Sequence, residues 1–390
     1  MISREGNYGP WKVLIASAIG LNIGFASQSY IALTIGVYIE GYSMPLQQAG
    51  LFGSAELIAM AISALFSVRL EKKVSLTSLA IIGAMLAGLG NVLTAFQQSV
   101  PHILLLRIMT GVGAGIVAAT VNASIARSAD PVRLYAHSNA IVIVLSSCFF
   151  IAMPYIYSTF GYSNYFFTYG VILLAGTPLL AWLGRSAPSS VHGNQQIPTL
   201  RNKSSLPTRW LVFLCAGFSL WLSYGMIFSF SERMGVSLGI APTDIGIVIS
   251  VGTSVGFFGT LLAALVAGKT DSINPLTFGV LALGICYVMF SHAFGYFTYS
   301  IAMCFFGIAL FFCLPFLQGE AARFDPSGRL AALLAGLMPL AGALSPVIGG
   351  WIIGSLGYGW LGIICFFIAC GVSGTTRIFR DPRLKVPKSV

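Results

Sequence analysis

The chain has 390 residues, of which 56% are hydrophobic and only 8% are charged, and its mean hydropathy is +0.86. This composition excludes an ordinary soluble domain, in which about 25% of residues are charged. The formal net charge of +10 is spread over short segments rather than along one basic face, so it fits anionic lipid headgroups better than nucleic acid.

Long uncharged segments follow one another along the chain, and a membrane-spanning helix needs ~20 mostly apolar residues. Dividing these segments at their turn signals predicts an all-α membrane protein with twelve transmembrane helices. In chain order the helices are expected near residues 12–39, 45–68, 74–96, 101–126, 134–159, 163–184, 209–232, 243–268, 274–292, 295–322, 329–355 and 358–378.

The positions of the basic residues predict the orientation of these helices. With twelve helices, all but two of the 21 Lys and Arg residues fall on one side of the membrane, the exceptions being Arg107 and Arg233. Short cytoplasmic loops carry the excess of Lys and Arg, so both termini are expected in the cytoplasm. The first helix lacks a cleavage site and is expected to be retained. The predicted location is the cytoplasmic (inner) membrane.

One long polar segment divides the chain. Residues 185–208, RSAPSSVHGNQQIPTLRNKSSLPT, are rich in Ser, Pro, Asn and Gln, a composition typical of a flexible connection. The predicted domains are a six-helix bundle over 1–184, a cytoplasmic linker over 185–208, and a second six-helix bundle with a basic tail over 209–390.

The two halves echo each other at a spacing of about 196 residues, and six helices per half would give both copies the same orientation. This pattern indicates a parallel repeat about an axis along the membrane normal. The echoing pairs are Ala126-Arg127 with Ala322-Arg323, Asp130-Pro131 with Asp325-Pro326, and Gly161-Tyr162 with Gly357-Tyr358.

Three motifs resemble those of the major facilitator superfamily. The loop 64–73, ALFSVRLEKK, keeps the basic positions of G-x-L-A-D-R-x-G-R-R, although Val68 replaces the Asp and the second copy, ALVAGK at 264–269, also lacks it. The fourth helix reads RIMTGVGAG over 107–115, as in the family. The eleventh reads SPVIGG over 345–350 and resembles the Gly-Pro-x-x-Gly-Gly motif of antiporters, whose helix-five copy is degraded to MPYI at 153–156.

The resemblance covers nearly the whole chain and implies two six-helix bundles that transport a solute by alternating access. It does not define a subfamily: the Asp-Gly-x-Asp signature of aromatic-acid symporters is missing from helix one, and the Glu-x-x-Glu-Arg signature of peptide transporters is also missing.

Two charged residues fall within predicted helices. Glu56 lies near the middle of helix two in GLFGSAELIAMAISALF, and Arg107 lies in the outer half of helix four. An ionisable group at membrane depth indicates function by default, and an apolar environment disfavours the ionised carboxylate, as a proton carrier requires. A Glu56–Arg107 pair that competes for a proton is therefore a predicted coupling switch. The alternative is a structural pair that fixes helices two and four.

Several charged and small residues are candidates for gating. Glu232 and Arg233 end helix seven on the outside, where they form either an outer gate or solvated boundary charges. Glu320 near the cytoplasmic end of helix ten is expected to reach water or to pair with Arg323. Glycines let helices approach closely and rock. The remaining gating candidates are Arg69, Lys72, Lys73, Gly111, Gly113, Gly115, Pro346, Gly349 and Gly350.

If the resemblance holds, helices one, four, seven and ten line a central cavity. Amides and aromatic rings there suit a moderately amphipathic solute, and Arg107 favours an organic anion over a cationic or neutral drug. The candidate substrate contacts are Asn22, Gln28, Arg107, Trp221, Tyr224, Phe311, Phe312 and Gln318.

The sequence predicts a secondary transporter, driven by protons and monomeric, whose partners are a small-molecule substrate and membrane lipids. A multidrug or lipid exporter of the same fold is one alternative, and a receptor without transport is another, although no signalling domain accompanies the helices. The scattered histidines and the seven helical cysteines lack metal-site spacing, so neither a metal nor a cofactor is expected. The sequence contains no nucleophile triad, so an enzyme is not expected.

Overall fold

The computed structural model describes residues 9–71, 73–128, 130–183, 208–267, 273–325 and 329–376. Regular structure in these ranges is helical. The helices are α1 Pro10–Ser29, α2 Ile31–Tyr42, α3 Leu46–Leu70, α4 Leu76–Thr94, α5 Val100–Ala126, α6 Pro131–Phe160, α7 Ser163–Gly176, a 3-10 helix Thr177–Leu183, α8 Thr208–Ser229, α9 Ser231–Ser237, α10 Pro242–Val266, α11 Ile273–Ser291, α12 Tyr296–Phe324, α13 Arg329–Leu356 and α14 Tyr358–Thr376.

The number of membrane-spanning helices agrees with the prediction. Eleven helices among the described residues are long and apolar enough to span a membrane, and α1 with α2 forms a bent pair that supplies a twelfth span. The described residues divide into two compact units on either side of residues 184–207. Nearly all of the predicted linker, the basic tail from 377 onward, Lys72 and Lys269 lie outside the described residues.

The first predicted helix is not continuous, because α1 and α2 meet at Tyr30 with a bend of 50°. No proline marks this point. The Tyr30 ring instead stacks on Phe149 with centroids 3.8 Å apart, and its hydroxyl accepts a hydrogen bond from Asn22 at 2.9 Å. Thr34 donates back to the Tyr30 carbonyl at 3.1 Å, a bond that commonly bends helices. Tertiary contacts of one side chain therefore accompany the break.

Two other predicted helices are also not continuous α-helices. The seventh, expected over 209–232, is interrupted at Phe230, beyond which the short helix α9 begins. The sixth, expected over 163–184, is α-helical only to Gly176 and continues as a 3-10 helix. Pro178 lies at the start of that 3-10 segment, where its missing N–H prevents the α-helical hydrogen bond.

The sequence echoes occupy equivalent structural positions in the two units. Asp130 accepts a hydrogen bond from the backbone of Arg133 at the start of α6, and Asp325 accepts one from the backbone of Leu330 at the start of α13. Each carboxylate thus accepts a backbone N–H in the first turn of the following helix, as an N-cap side chain does. Gly161 and Gly357 end the same two helices with φ of 94° and 90°, a conformation that glycine adopts without steric cost.

Glycines bring α5 into backbone contact with two neighbours. A Cβ atom on Gly111 would overlap the carbonyl oxygen of Glu56 on α3, and one on Gly115 would overlap that of Met60. Gly113, on another face of α5, lies against Gly83 of α4. In the second unit Gly307 of α12 lies against Gly252 of α10 in the same way. This packing places α3, α4 and α5 close enough for their polar side chains to meet.

Candidate functional site

Arg107 is the largest fully buried side chain of the first unit and projects from α5 toward α4. Its Nη1 donates to Asn91 Oδ1 at 3.0 Å. Its Nη2 donates to Thr94 Oγ1 at 2.6 Å and to the Gly90 carbonyl at 3.1 Å. A buried guanidinium needs such partners because it stays charged in proteins. Arg107 is therefore held by α4, which the sequence had not suggested.

Glu56 lies beside this guanidinium on α3, with a relative exposure of 2%. Its Oε2 is 3.7 Å from Arg107 Nη1. The two helices place these residues as neighbours because Gly111, one turn after Arg107 on α5, packs on the Glu56 backbone. The separation exceeds the usual range of an N–H···O hydrogen bond, about 2.7–3.2 Å. The predicted pair exists as two neighbouring charges without a tight hydrogen bond.

Asn91, Thr94 and the Gly90 carbonyl are the parts of the site that sequence reasoning missed. Asn91 also donates to the Ala87 carbonyl at 2.9 Å, and the Thr94 hydroxyl donates to the Gly90 carbonyl at 2.7 Å. Asn91 and Thr94 are three positions apart, so they share one face of α4. Two polar side chains at this spacing, in a helix otherwise made of apolar and small residues, were the sequence signal that could have indicated a polar face on α4.

Aromatic side chains enclose the ionic pair. The Phe166 ring of α7 lies 4.6 Å from the guanidinium carbon of Arg107, a cation–π distance. Tyr42 of α2 donates to the Thr94 carbonyl at 3.1 Å, and Tyr165 of α7 shares a hydrogen bond of 2.8 Å with Thr34. None of these aromatic residues was predicted to contribute.

Three buried polar atoms around the site lack a hydrogen-bond partner among the described residues: the hydroxyls of Tyr38 and Tyr169, and Nε of Arg107. Buried polar atoms are seldom left unpaired. Tyr38 packs on Phe166 with ring centroids 5.6 Å apart, so its hydroxyl belongs to the wall around Arg107. The site therefore retains unused hydrogen-bonding capacity next to the charges.

The predicted substrate contacts of the first unit differ in how deeply they are buried. Arg107 is completely enclosed and bonded to α4, so in this conformation it faces protein groups. Asn22 and Gln28 on α1 are half-buried, and Asn22 donates to the Tyr30 hydroxyl. The two amides thus lie on the helix that leads to the break at Tyr30.

The predicted substrate contacts of the second unit form a partial aromatic cluster. Trp221 and Tyr224 of α8 are in ring contact at 5.2 Å, and Tyr224 stacks on Phe306 of α12 at 5.3 Å. Phe312 contacts Phe316 at 5.2 Å. Phe311 and Gln318, also on α12, are exposed. Trp221, Tyr224 and Phe306 are therefore brought together, whereas Phe311 and Gln318 stand apart.

Glu232 and Arg233 are not solvated boundary charges. Their relative exposures are 1% and 6%, and Arg233 donates to both carboxylate oxygens of its neighbour Glu232, at 2.6 and 2.7 Å. Tyr299 of α12 donates to the backbone of the preceding Ser231 at 3.0 Å. The pair lies in the buried first turn of the short helix α9 that begins after Phe230, an interruption that the sequence pattern did not reveal.

Of the gating candidates that the Lys and Arg pattern assigns to the cytoplasm, Glu320 forms a local ion pair. Glu320 accepts from Arg323 at 2.8 Å across one helical turn, as the sequence suggested. Arg69 lies over the Phe66 ring at 5.4 Å, and Lys73 is exposed.

A pair that was not predicted joins Arg127, at the end of α5, to Glu71, at the end of α3, at 2.8 Å. Partial burial raises the pKa of the Glu71 carboxyl, and the neighbouring Arg127 opposes that rise.

One glycine of α13 contacts the break between α8 and α9 at Phe230. Pro346 lies inside α13. Gly349 faces Phe230, the residue at which α8 gives way to α9. The adjacent Gly350 is buried. Gly349 therefore lets α13 pass close to the interruption of the seventh span.

No group of three or more His, Cys, Asp or Glu side chains within the described ranges has the geometry of a metal site. All seven cysteines lie in helices and are unpaired.

The sequence matches the model of the Major Facilitator Superfamily over residues 17–331. The chain belongs to this superfamily. It is a multi-pass membrane transporter, not an enzyme, and its fold supports secondary transport by alternating access. No curated protein matches the sequence significantly.

Solved transporters of the superfamily share the fold at low sequence identity. The nucleoside transporter NupG has 12% identity and a TM-score of 0.76, covering 96% of this chain and 100% of its own. A D-xylose-proton symporter has 15% identity and a TM-score of 0.74, covering 95% and 97%. A POT family transporter in complex with 5-aminolevulinic acid has 11% identity and a TM-score of 0.76, covering 97% and 98%.

Proposed function

We propose that this transporter couples the movement of a small organic solute to protons, and that Glu56 carries the proton. An organic anion is the first substrate class, as expected from the cation Arg107. A structural relative is described as a proton symporter, which supports the driving ion in general terms. The role of Glu56 rests on the local geometry of this chain.

The observation that carries the proposal is the way Arg107 is bonded. Its hydrogen bonds go to Asn91, Thr94 and the Gly90 carbonyl, all of which are neutral. Glu56 lies 3.7 Å away and outside that network. The cation therefore keeps its partners whether Glu56 is ionised or protonated. A carboxyl group that can lose or gain a proton without dismantling its surroundings is suited to carry protons.

A purely structural ion pair predicts a different geometry. Removing one partner of a tight buried pair leaves an uncompensated charge and costs about 3–5 kcal/mol. Such a pair uses short, often bidentate, charge-assisted bonds, as Glu232 and Arg233 do in the second unit. The longer Glu56–Arg107 contact favours a carboxyl group that titrates over a permanent structural ion pair.

The enclosure of Arg107 bears on the substrate. In this conformation an anion could reach the guanidinium only after rearrangement of α3, α4 and α5. The half-buried amides Asn22 and Gln28 are more accessible, and an amide N–H donates readily to a carboxylate. We therefore propose that Arg107 acts first in coupling and that α1 supplies the initial polar contacts of the substrate.

The experiment begins with purified protein in a thermal-shift screen against organic acids, sugars, nucleosides, cationic drugs and lipids, because a ligand of the folded state raises its melting temperature. Proteoliposomes that contain a pH-sensitive dye are then given a gradient of each hit. The unmodified protein should change the internal pH when an organic acid moves. Glu56→Gln should abolish that change while keeping the ligand-induced thermal shift, because binding does not require deprotonation.

Glu320→Gln is the matched control, since it removes another buried carboxylate that is already paired with Arg323. It should keep the coupled pH change. Normal proton-coupled transport by Glu56→Gln would refute the carrier role, and stabilisation only by lipids or cationic drugs would refute the organic-anion class.

A further inference from the structure

The polar face of α4 offers Arg107 a binding site of its own, made of Asn91 Oδ1, Thr94 Oγ1 and the Gly90 carbonyl. We call these three acceptors the α4 cage. They bind the two terminal nitrogens of the guanidinium at 2.6 to 3.1 Å. Asn91 and Thr94 are both fully buried, so water does not compete for these bonds.

The cage is oriented before the cation binds. The Asn91 amide nitrogen donates to the Ala87 carbonyl at 2.9 Å, which leaves Oδ1 for Arg107. The Thr94 hydroxyl donates to the Gly90 carbonyl at 2.7 Å, which leaves the oxygen lone pairs for Arg107. Tyr42 donates to the Thr94 backbone at 3.1 Å. Each acceptor is thus directed by a second hydrogen bond.

Arg107 could also bind more closely to Glu56. The present separation is 3.7 Å, whereas charge-assisted N–H···O bonds are about 2.7–2.9 Å. Nε of Arg107 has no hydrogen-bond partner among the described residues and is a free donor. The cage and an ionised Glu56 therefore both attract one guanidinium, and the bonds to the cage limit how closely it approaches the carboxylate.

From this competition we propose that Asn91 and Thr94 are positioning residues that set the pH at which Glu56 exchanges its proton. The inference rests on the proposed role of Glu56 as proton carrier. By drawing Arg107 toward α4, the cage keeps the cation from stabilising the carboxylate fully. The carboxylate of Glu56 therefore receives less electrostatic stabilisation than it would in a tight ion pair.

The other groups around Glu56 and Arg107 are neutral, so Arg107 is the charge that affects the ionisation of Glu56. Tyrosine hydroxyls are neutral near physiological pH. Ser27 on α1, which hydrogen-bonds to Glu56, does not titrate. The titratable side chains that the described residues direct at Glu56 or Arg107 are Tyr38 and Tyr42 from α2 and Tyr165 and Tyr169 from α7.

Removing part of the cage should shift the titration of Glu56 to lower pH. In Asn91→Ala or Thr94→Val the guanidinium loses a neutral acceptor and turns to the carboxylate, which favours the ionised form. The expected shift is on the order of one pH unit. Asn91→Asp should shift the midpoint to higher pH, because a second carboxylate captures Arg107 and repels the charge on Glu56.

The shift is measured on the full-length protein in lipid nanodiscs by infrared difference spectroscopy during a pH titration. The carbonyl band of the protonated Glu56 is identified by its absence in Glu56→Gln. Thr94→Ser keeps the hydroxyl and should titrate like the unmodified protein. Melting temperatures are recorded for every variant, and Thr94→Val, which is nearly isosteric, provides the test if Asn91→Ala does not fold.

The outcomes separate the two proposals. Opposite shifts in Asn91→Ala and Asn91→Asp support the cage as the device that sets the midpoint. Lower melting temperatures in Asn91→Ala and Thr94→Val without a shift would show that the cage is only structural and would overturn the positioning role alone. A Glu56 band that does not titrate in the unmodified protein would overturn the carrier role as well.

Discussion

At the scale of single residues, the informative feature is that one buried cation has both neutral and acidic partners. Arg107 keeps its bonds to α4 while Glu56 lies just beyond hydrogen-bond range. The ionisation of Glu56 then depends on a balance of attractions rather than on one fixed pair. Substituting the cation and substituting a residue of the α4 cage should therefore shift the pH at which Glu56 releases its proton in opposite directions.

Replacing the cation should raise the pH at which Glu56 releases its proton. In Arg107→Ala the carboxylate loses its neighbouring positive charge, so the ionised form becomes less favourable and the pH profile of coupled transport should move up by about 1–3 units. Substrate affinity should also fall if Arg107 attracts the anion. Internal pH in dye-loaded proteoliposomes, recorded over a series of external pH values, provides the measurement.

Arg107→Lys is the control, because it keeps a charge near Glu56 while losing the planar set of donors. Its profile should lie between those of the unmodified protein and Arg107→Ala. Identical profiles for all three proteins would contradict a coupling role for Arg107.

Sequence reasoning found the charges of this site but not its neutral partners. Glu56 and Arg107 are conspicuous because ionisable residues are costly in apolar helices. Asn91 and Thr94 are ordinary in such helices, and only the packing of α4 on α5 gives them a cation to bind. The burial of Glu232 and Arg233 could not be predicted either, since it depends on the direction that α9 takes after Phe230.

At the scale of helices, glycine contacts determine how closely α5 approaches its neighbours. The uncharged segments predicted the existence of the spans well, because apolar length is a strong signal. The interruptions at Tyr30 and Phe230 were missed, because neither has a proline and ring packing around Tyr30 accompanies the first. The glycines of RIMTGVGAG were correctly expected to allow close packing, but the sequence did not name the surfaces they contact.

A methyl group at Gly111 should separate α3 from α5. The added Cβ of Gly111→Ala would overlap the Glu56 carbonyl oxygen, which is backbone and cannot rotate away. Overpacking of this kind costs about 1–3 kcal/mol, so the melting temperature should fall, and the titration of Glu56 should change as the pair separates.

Gly371→Ala is the matched control within α14. A Cβ at Gly371 meets nothing within 4 Å, and alanine is favoured over glycine inside helices by about 1 kcal/mol. This variant should be neutral or slightly more stable in the same thermal assay. Equal melting temperatures for the two variants would contradict the close α3–α5 contact.

At the scale of the whole molecule, the two units share a repeat but not its chemistry. Gly307 lies against Gly252 as Gly111 lies against Glu56, so Gly252 is the structural counterpart of Glu56. Met303, four residues before Gly307, is the counterpart of Arg107. Both replacements are uncharged. The Glu56–Arg107 pair therefore has no charged counterpart at the equivalent positions of the second unit.

The orientation of this scaffold in the membrane stays a prediction from the basic residues, and cysteine labelling tests it. Ser163 begins α7 and is exposed, after the turn at Gly161 that the Lys and Arg pattern assigns to the outside. Asn194 and Ser389 lie outside the described residues, in segments that the same pattern assigns to the cytoplasm. In a variant without its seven native cysteines, Ser163→Cys should react with an impermeant maleimide in intact cells.

Asn194→Cys and Ser389→Cys should react only after permeabilisation, which also serves as the control that each site is reactive. The test is demanding because the assignment depends on an odd number of spans between Ser163 and the tail. If the bent pair α1 and α2 formed a re-entrant segment instead of a span, the N-terminus would change sides while the later helices kept theirs. Labelling of Asn194→Cys in intact cells would therefore contradict the predicted orientation itself, and no alternative reading of the first span would restore it.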